Sequence, residues 1–102
     1  MTSVYAQRSG NRCILSAQGH ATGSPEVCAA VSGILYALAG YLANAIRERY
    51  IEFYGNRMES GNVLLDFNGD DCTAVAFEMA VVGLQQIAQE HPKFLRVEYQ
   101  EE

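Results

Sequence analysis

The chain has 102 residues, 49% of them hydrophobic and 19% charged, with a net charge of -5 from seven basic and twelve acidic side chains. That length suits one domain that buries a core without disulfides or a structural metal, and the composition excludes disordered, collagen-like and coiled-coil classes. Seven Lys and Arg residues are too few for a phosphate-binding surface, so no direct nucleic-acid partner is expected.

The opening MTSVYAQRSGNR lacks the basic start and long apolar stretch of a signal peptide. Val4 to Arg8 and Arg12 to Ala17 read as short strands joined by Ser9, Gly10 and Asn11, a turn-forming triplet that predicts a β-hairpin. A helix should begin near Ser24, a good N-cap, with Pro25 at its first position and Glu26 in the first turn, where the helix dipole favours a carboxylate. Val27, Val31, Ile34, Leu35, Leu38, Leu42 and Ile46 then recur at three- and four-residue spacing, the pattern of a helix face packed on a sheet. Ala29, Ala30, Gly33, Ala37 and Gly40 would let another backbone come close. The apolar run Val27 to Ile46 is long enough for a membrane span, but Ser32, Gly33, Gly40 and Asn44 interrupt it and RERY follows at once. It reads as a buried core helix, and no membrane partner is expected.

Tyr50 to Tyr54 and Asn62 to Phe67 flank a connection punctuated by glycine and predict a second antiparallel pair, with indistinct edges around Arg57 to Ser60. Asn68 to Asp71, NGDD, reads as a turn and helix start with acidic residues at the positive end. The second helix, about Cys72 to Glu90, carries Val75, Met79, Val82 and Ile87 among its apolar positions and stops before His91 and Pro92. Phe94, Leu95, Val97 and Tyr99 predict a last strand ahead of a solvated acidic tail. The order ββαββαβ gives an α+β fold, a mostly antiparallel sheet with two helices, in a single domain over residues 1–102.

The chemistry concentrates in GHATGSPEVCAAVS, Gly19 to Ser32. His20 lies at the end of the second strand and Cys28 in the first turn of the first helix. A helix N-terminus or a nearby imidazolium lowers a thiol pKa from roughly 8.5, and free N–H groups of that turn could hold an oxyanion. Ser32, one turn beyond Cys28, can bond the thiol or a substrate. On these residues alone, a lone His and Cys near a helix start are more often structural than catalytic.

Three cysteines without CxxC spacing fit reduced thiols of a cytoplasmic protein, with Cys13 and Cys72 as small buried hydrophobes. His91 suits a helix C-terminus. His20, Cys28, Cys72 and His91 lack the short spacings of a zinc site, and the glycines form no phosphate-binding fingerprint. NGDD does not reproduce a calcium loop. Neither metal nor cofactor is therefore expected. The six tyrosines are spread out, and most read as core or sheet-face residues.

GHA, a short glycine-containing loop and VCAAVS together resemble the signature of the ribosomal-processing cysteine proteases, the Prp family. GLQQIAQEHPKFLRVEY, Gly83 to Tyr99, is similar to that family's closing helix, Pro-containing turn and final strand. Members are small bacterial α+β proteins that remove an N-terminal extension from a large-subunit ribosomal protein. The resemblance implies His20 as the catalytic histidine, Cys28 as the nucleophile and Gly19 as a flexible point beside the site. It also implies a homodimer and a loop, Ala21 to Pro25, that is mobile in the free protein and orders on a peptide. This chain departs from the family pattern in a shorter loop and in Pro25, which stands where an aspartate is usual three positions before the nucleophile. Glu26 is the loop's only carboxylate, and no third group orienting the histidine is evident.

The function expected is a cytoplasmic cysteine endopeptidase acting on a peptide segment of a ribosomal protein or, in a phage-related copy, of a phage structural protein. A dimeric peptide-binding or ribosome-associated module of the same fold without turnover is the alternative. A thiol redox regulator is third, disfavoured by the lack of a resolving cysteine.

Overall fold

A computed structural model describes all of residues 1–102. The strands are β1 (Thr2–Ser9), β2 (Arg12–Gln18), β3 (Glu52–Glu59), β4 (Asn62–Asn68) and β5 (Leu95–Glu101), and the helices are α1 (Pro25–Ala45) and α2 (Asp71–Glu90). They form one α+β domain in the expected ββαββαβ order. The five-stranded sheet runs β3-β4-β2-β1-β5, with every neighbouring pair antiparallel except β1 and β5.

Side chains alternate across this sheet, and a single face is covered. Val4 and Ala6, Cys13, Leu15 and Ala17, Val63, Leu65 and Phe67, and Leu95 all point to that face and are buried. Both helices lie on it and complete one apolar core. The other face keeps polar pairs, including Arg12 bonded to both carboxylate oxygens of Asp66 at 2.8 and 3.1 Å and seated over the Tyr54 ring.

The two helix starts follow their sequence signals. Ser24 Oγ accepts the N–H of Val27 at 3.3 Å, and Pro25 opens α1. Asp70 Oδ1 accepts the N–H of Thr73 at 2.9 Å at the head of α2. That bond, and then Arg49 at 2.9 Å, hold the Asp70 carboxyl below the usual carboxylate range. His91 caps the end of α2.

Several expectations are corrected or refined. The third strand is not Tyr50 to Tyr54 but Glu52–Glu59, running through Gly55. Gly55 sits at a register shift between Phe53 and Gly55, where a Cβ would lie 2.8 Å from Leu64 Cδ2, so this glycine marks a bulge rather than a turn. Of the apolar positions of α2, Val75, Met79 and Val82 are 57%, 73% and 52% exposed, and the core stripe is Thr73, Ala74, Phe77, Ala80, Val81 and Leu84. α1 buries the expected stripe of Val27, Val31, Leu35, Leu38 and Leu42, while Ile46 at its end is exposed, and by length and composition the helix would suffice to cross a membrane. Finally, Tyr36, Tyr41 and Tyr50 are exposed rather than core or sheet-face residues, and Cys72 is exposed rather than buried.

Cys13 does behave as a core residue. It is fully buried, and burial pushes its thiol up to about 11.

Candidate active site

β2 ends at Gln18, paired with Ser3 of β1 and Asn62 of β4. The next residue, Gly19, turns with φ +88, a left-handed conformation that disfavours any side chain. Its N–H donates to Gly61 O at 3.0 Å, and a Cβ on it would lie 2.5 Å from Met1 O. The family resemblance implies a flexible point at Gly19. The geometry shows a conformational and steric requirement for glycine there.

His20 follows, exposed, at the end of the sheet where α1 begins. Ala21 turns inward and is buried, and its carbonyl accepts the Ser24 N–H at 3.0 Å. The connection is thus a tight turn anchored at Ala21 and at the buried cap Ser24. One helical turn beyond the cap, Cys28 emerges with its side chain exposed.

His20 and Cys28 line the same cleft, about 160 Å³ in volume, together with Gly19 and Ser32. Cys28, Ser32 and Tyr36 follow one another at four-residue spacing along α1 and form one wall, because residues four apart share a helix face. The tip of the β3–β4 hairpin, Met58 to Val63, forms the other wall, with Thr2, Ala17 and Gly19 between them. No hydrogen bond joins the His20 imidazole to the Cys28 thiol.

Glu26 is placed differently. It is not a cleft residue; its carboxylate takes the Ser24 hydroxyl at 3.5 Å and borders a separate depression with Gln86, Glu90 and His91. The N–H groups of the first turn are also largely engaged, since Val27 donates to Ser24 Oγ and Cys28 to Ser24 O at 3.1 Å. Pro25 has none to give. Glu26 N–H is therefore the first-turn donor left for an anion, fewer than the sequence suggested.

Nor do the remaining cysteine and histidine candidates join the site. Cys72 opens α2 at the opposite end of the sheet, and His91 lies beyond the end of α2. No three His, Cys, Asp or Glu side chains converge in a way that could hold a metal ion.

Sequence reasoning missed two contributors to the cleft, Tyr36 and the turn from Glu59 to Asn62. Tyr36 had a signal, eight residues after Cys28 on the same helical stripe. The turn had none, because it reaches His20 through a backbone pairing 42 positions along the chain, between Gly19 and Gly61.

A family model described as cysteine protease Prp matches residues 1–96 of the chain. No curated protein matches the sequence significantly. Among solved structures, the fold is similar to that of SMU.848 from Streptococcus mutans, with a TM-score of 0.72 and 21% identity over 100% of this chain and 96% of that one. It is also similar to the essential ribosomal processing protease Prp from Staphylococcus aureus in complex with a covalently linked product peptide, with a TM-score of 0.69 and 20% identity over 97% and 99% of the two chains. The same S. aureus protease in complex with a substrate peptide gives a TM-score of 0.69 at 17% identity, over 97% and 99%.

Proposed function

The chain belongs to the Prp family of cysteine proteases, and from that footing we propose that it is an endopeptidase working through a Cys28 thiolate with His20 as general base. The observation that carries this reading is the meeting of His20, Cys28 and Ser32 in one cleft at the head of α1.

In this mechanism the imidazole of His20 takes the proton of Cys28, and the thiolate attacks the scissile carbonyl. The resulting oxyanion draws on donors at the head of α1, Glu26 N–H or the Ser32 hydroxyl. Imidazolium then protonates the leaving amine. A water molecule, activated by the same imidazole, releases the acyl group and restores the thiol. Pro25 and the buried Ser24 fix where Cys28 leaves the helix, so the short loop sets the geometry that an aspartate-bearing loop would set otherwise.

The substrate proposed is the N-terminal extension of a large-subunit ribosomal protein, or a comparable segment of a phage structural protein, in the cytoplasm. The substrate peptide bound by the S. aureus protease supports a peptide ligand for this cleft. Incubating the protein with a peptide that spans the end of such an extension should give two fragments from one internal cut, read by mass spectrometry. Binding of that peptide without a cut would instead favour a peptide-binding module, the reading to which the missing imidazole–thiol hydrogen bond lends weight.

A homodimer belongs to the same proposal. Val75, Met79 and Val82 form an exposed apolar stripe on α2, and apolar patches of this kind mark interaction surfaces. Placing a charge there, Met79→Asp, should convert a dimer to a monomer in sedimentation equilibrium while leaving the circular dichroism unchanged. A dimer that survives the change pairs through another face.

A further inference from the structure

The sequence uses the triplet Ser-Gly-Asn twice at hairpin tips, one residue out of step: Gly10 is the first residue of the β1–β2 loop Gly10-Asn11, and Gly61 is the second residue of the β3–β4 loop Ser60-Gly61. Both glycines are left-handed, with φ +59 at Gly10 and +72 at Gly61. The backbone need for glycine is therefore common to the two turns. Their surroundings differ. A Cβ on Gly10 would meet nothing within 4 Å, whereas one on Gly61 would lie 2.5 Å from His20 Nε2, 3.0 Å from Cε1 and 3.3 Å from Cδ2.

We infer that Gly61 is a positioning residue for His20, its bare Cα forming the seat on which the imidazole rests. The inference rests on the reading of His20 as the base that serves Cys28. Two attachments define the seat. Gly61 O takes the N–H of Gly19 at 3.0 Å, which ties the backbone just before His20 to the turn, and the Cα of Gly61 receives the ring itself. A side chain at 61 could be accommodated by sliding the turn away, but that would stretch the Gly19–Gly61 bond. The exposed imidazole is the softer partner, so it rotates off its seat while the strands stay paired. The loss then falls on the proton transfer from Cys28 and not on the fold.

The test compares Gly61→Ala with Gly10→Ala, which also places a Cβ on a left-handed glycine at a hairpin tip but without the contact. The readout is the rate of Cys28 alkylation by iodoacetamide from pH 5 to 9, followed at that cysteine by peptide mass, which needs no known substrate. His20→Ala defines the profile of an uncoupled thiol. Gly61→Ala should reproduce the His20→Ala profile, with alkylation at pH 7 slowed about 3- to 10-fold, and Gly10→Ala should keep the wild-type profile. Gly61→Asn guards against a folding defect, because Asn tolerates the left-handed region while still bringing a Cβ, and it should behave like Gly61→Ala. NMR adds a direct view, since the chain has only two histidines: the His20 ring signals should move and those of His91 stay. A wild-type profile in both Gly61 variants, with His20→Ala altered, overturns the positioning role alone. A wild-type profile in His20→Ala overturns the reading of His20 and the inference with it.

Discussion

Replacing Cys28 with alanine should abolish peptide cleavage, lowering kcat/KM by at least about 10³-fold, because no other thiol reaches the cleft and a covalent step has no substitute nucleophile. Cys13 and Cys72 provide the controls. Cys13 is sealed in the core, where burial holds it as the neutral thiol, and Cys72 is exposed but opens α2 at the far end of the sheet. Cys72→Ala should therefore retain wild-type turnover. In the native protein iodoacetamide should label Cys28 and Cys72 and spare Cys13 until the chain is unfolded. Cleavage by Cys28→Ala at the wild-type rate would remove the nucleophile assignment, and with it the mechanism. Loss in Cys72→Ala of comparable size would place the chemistry at the other end of the molecule.

The pH behaviour of Cys13 follows from its burial. Its folded-state pKa lies above the ordinary thiol value, so the stability it contributes is complete below about pH 9 and is lost as pH rises through about 11. The unfolded chain gives up that proton first, which pulls the equilibrium toward unfolding over this window. Cleavage chemistry at neutral pH is unaffected, because the group stays protonated there.

The parts of this fold that were legible in the sequence are those written in local physics. Ser24, Pro25 and Glu26 announce the start of α1 through capping, fixed φ and dipole, all within four residues. Ser9-Gly10-Asn11 announces a turn for the same kind of reason. The third strand was blurred because Gly55 has two local meanings, a break or a bulge, and only the neighbouring Leu64 decides between them. α2 presents two apolar stripes, one through Phe77, Val81 and Leu84 and another through Val75, Met79 and Val82. Periodicity alone cannot rank them, although the aromatic ring of Phe77 lies on the stripe that the sheet covers. In the site, His20 and Cys28, the residues that the family resemblance implies, meet in one cleft, and Ser32 joins them through its helical spacing. Glu26 was plausible by proximity yet turns to its own cap. The seat at Gly61 was out of reach, because strand pairing across the chain creates it.

Phe77→Ala should be the costliest change away from the cleft, destabilising the domain by about 3–5 kcal/mol. The side chain is fully buried and forms the centre of an aromatic row, with ring centroids 6.1 Å from Phe67 and 6.4 Å from Tyr99. Its removal leaves a cavity between α2 and the sheet that the two neighbouring rings cannot refill. Against a total stability of about 5–15 kcal/mol, that is a large fraction, and thermal unfolding should move down by roughly 12–40 °C in a domain of this size. Tyr99→Phe should act oppositely. The Tyr99 hydroxyl is buried without a partner, so deleting it removes an unmet desolvation cost and should leave stability unchanged or slightly raised. These rings sit where β4 pairs with Cys13 and β5 with Ala6, toward the end of the sheet away from Gly19 and His20. Turnover by Phe77→Ala, measured well below its melting temperature, should therefore stay within about twofold of wild type. A tenfold loss of kcat in the folded variant would show that the core and the cleft move together, and the head of α1 would then depend on packing along the whole helix layer rather than on its local cap.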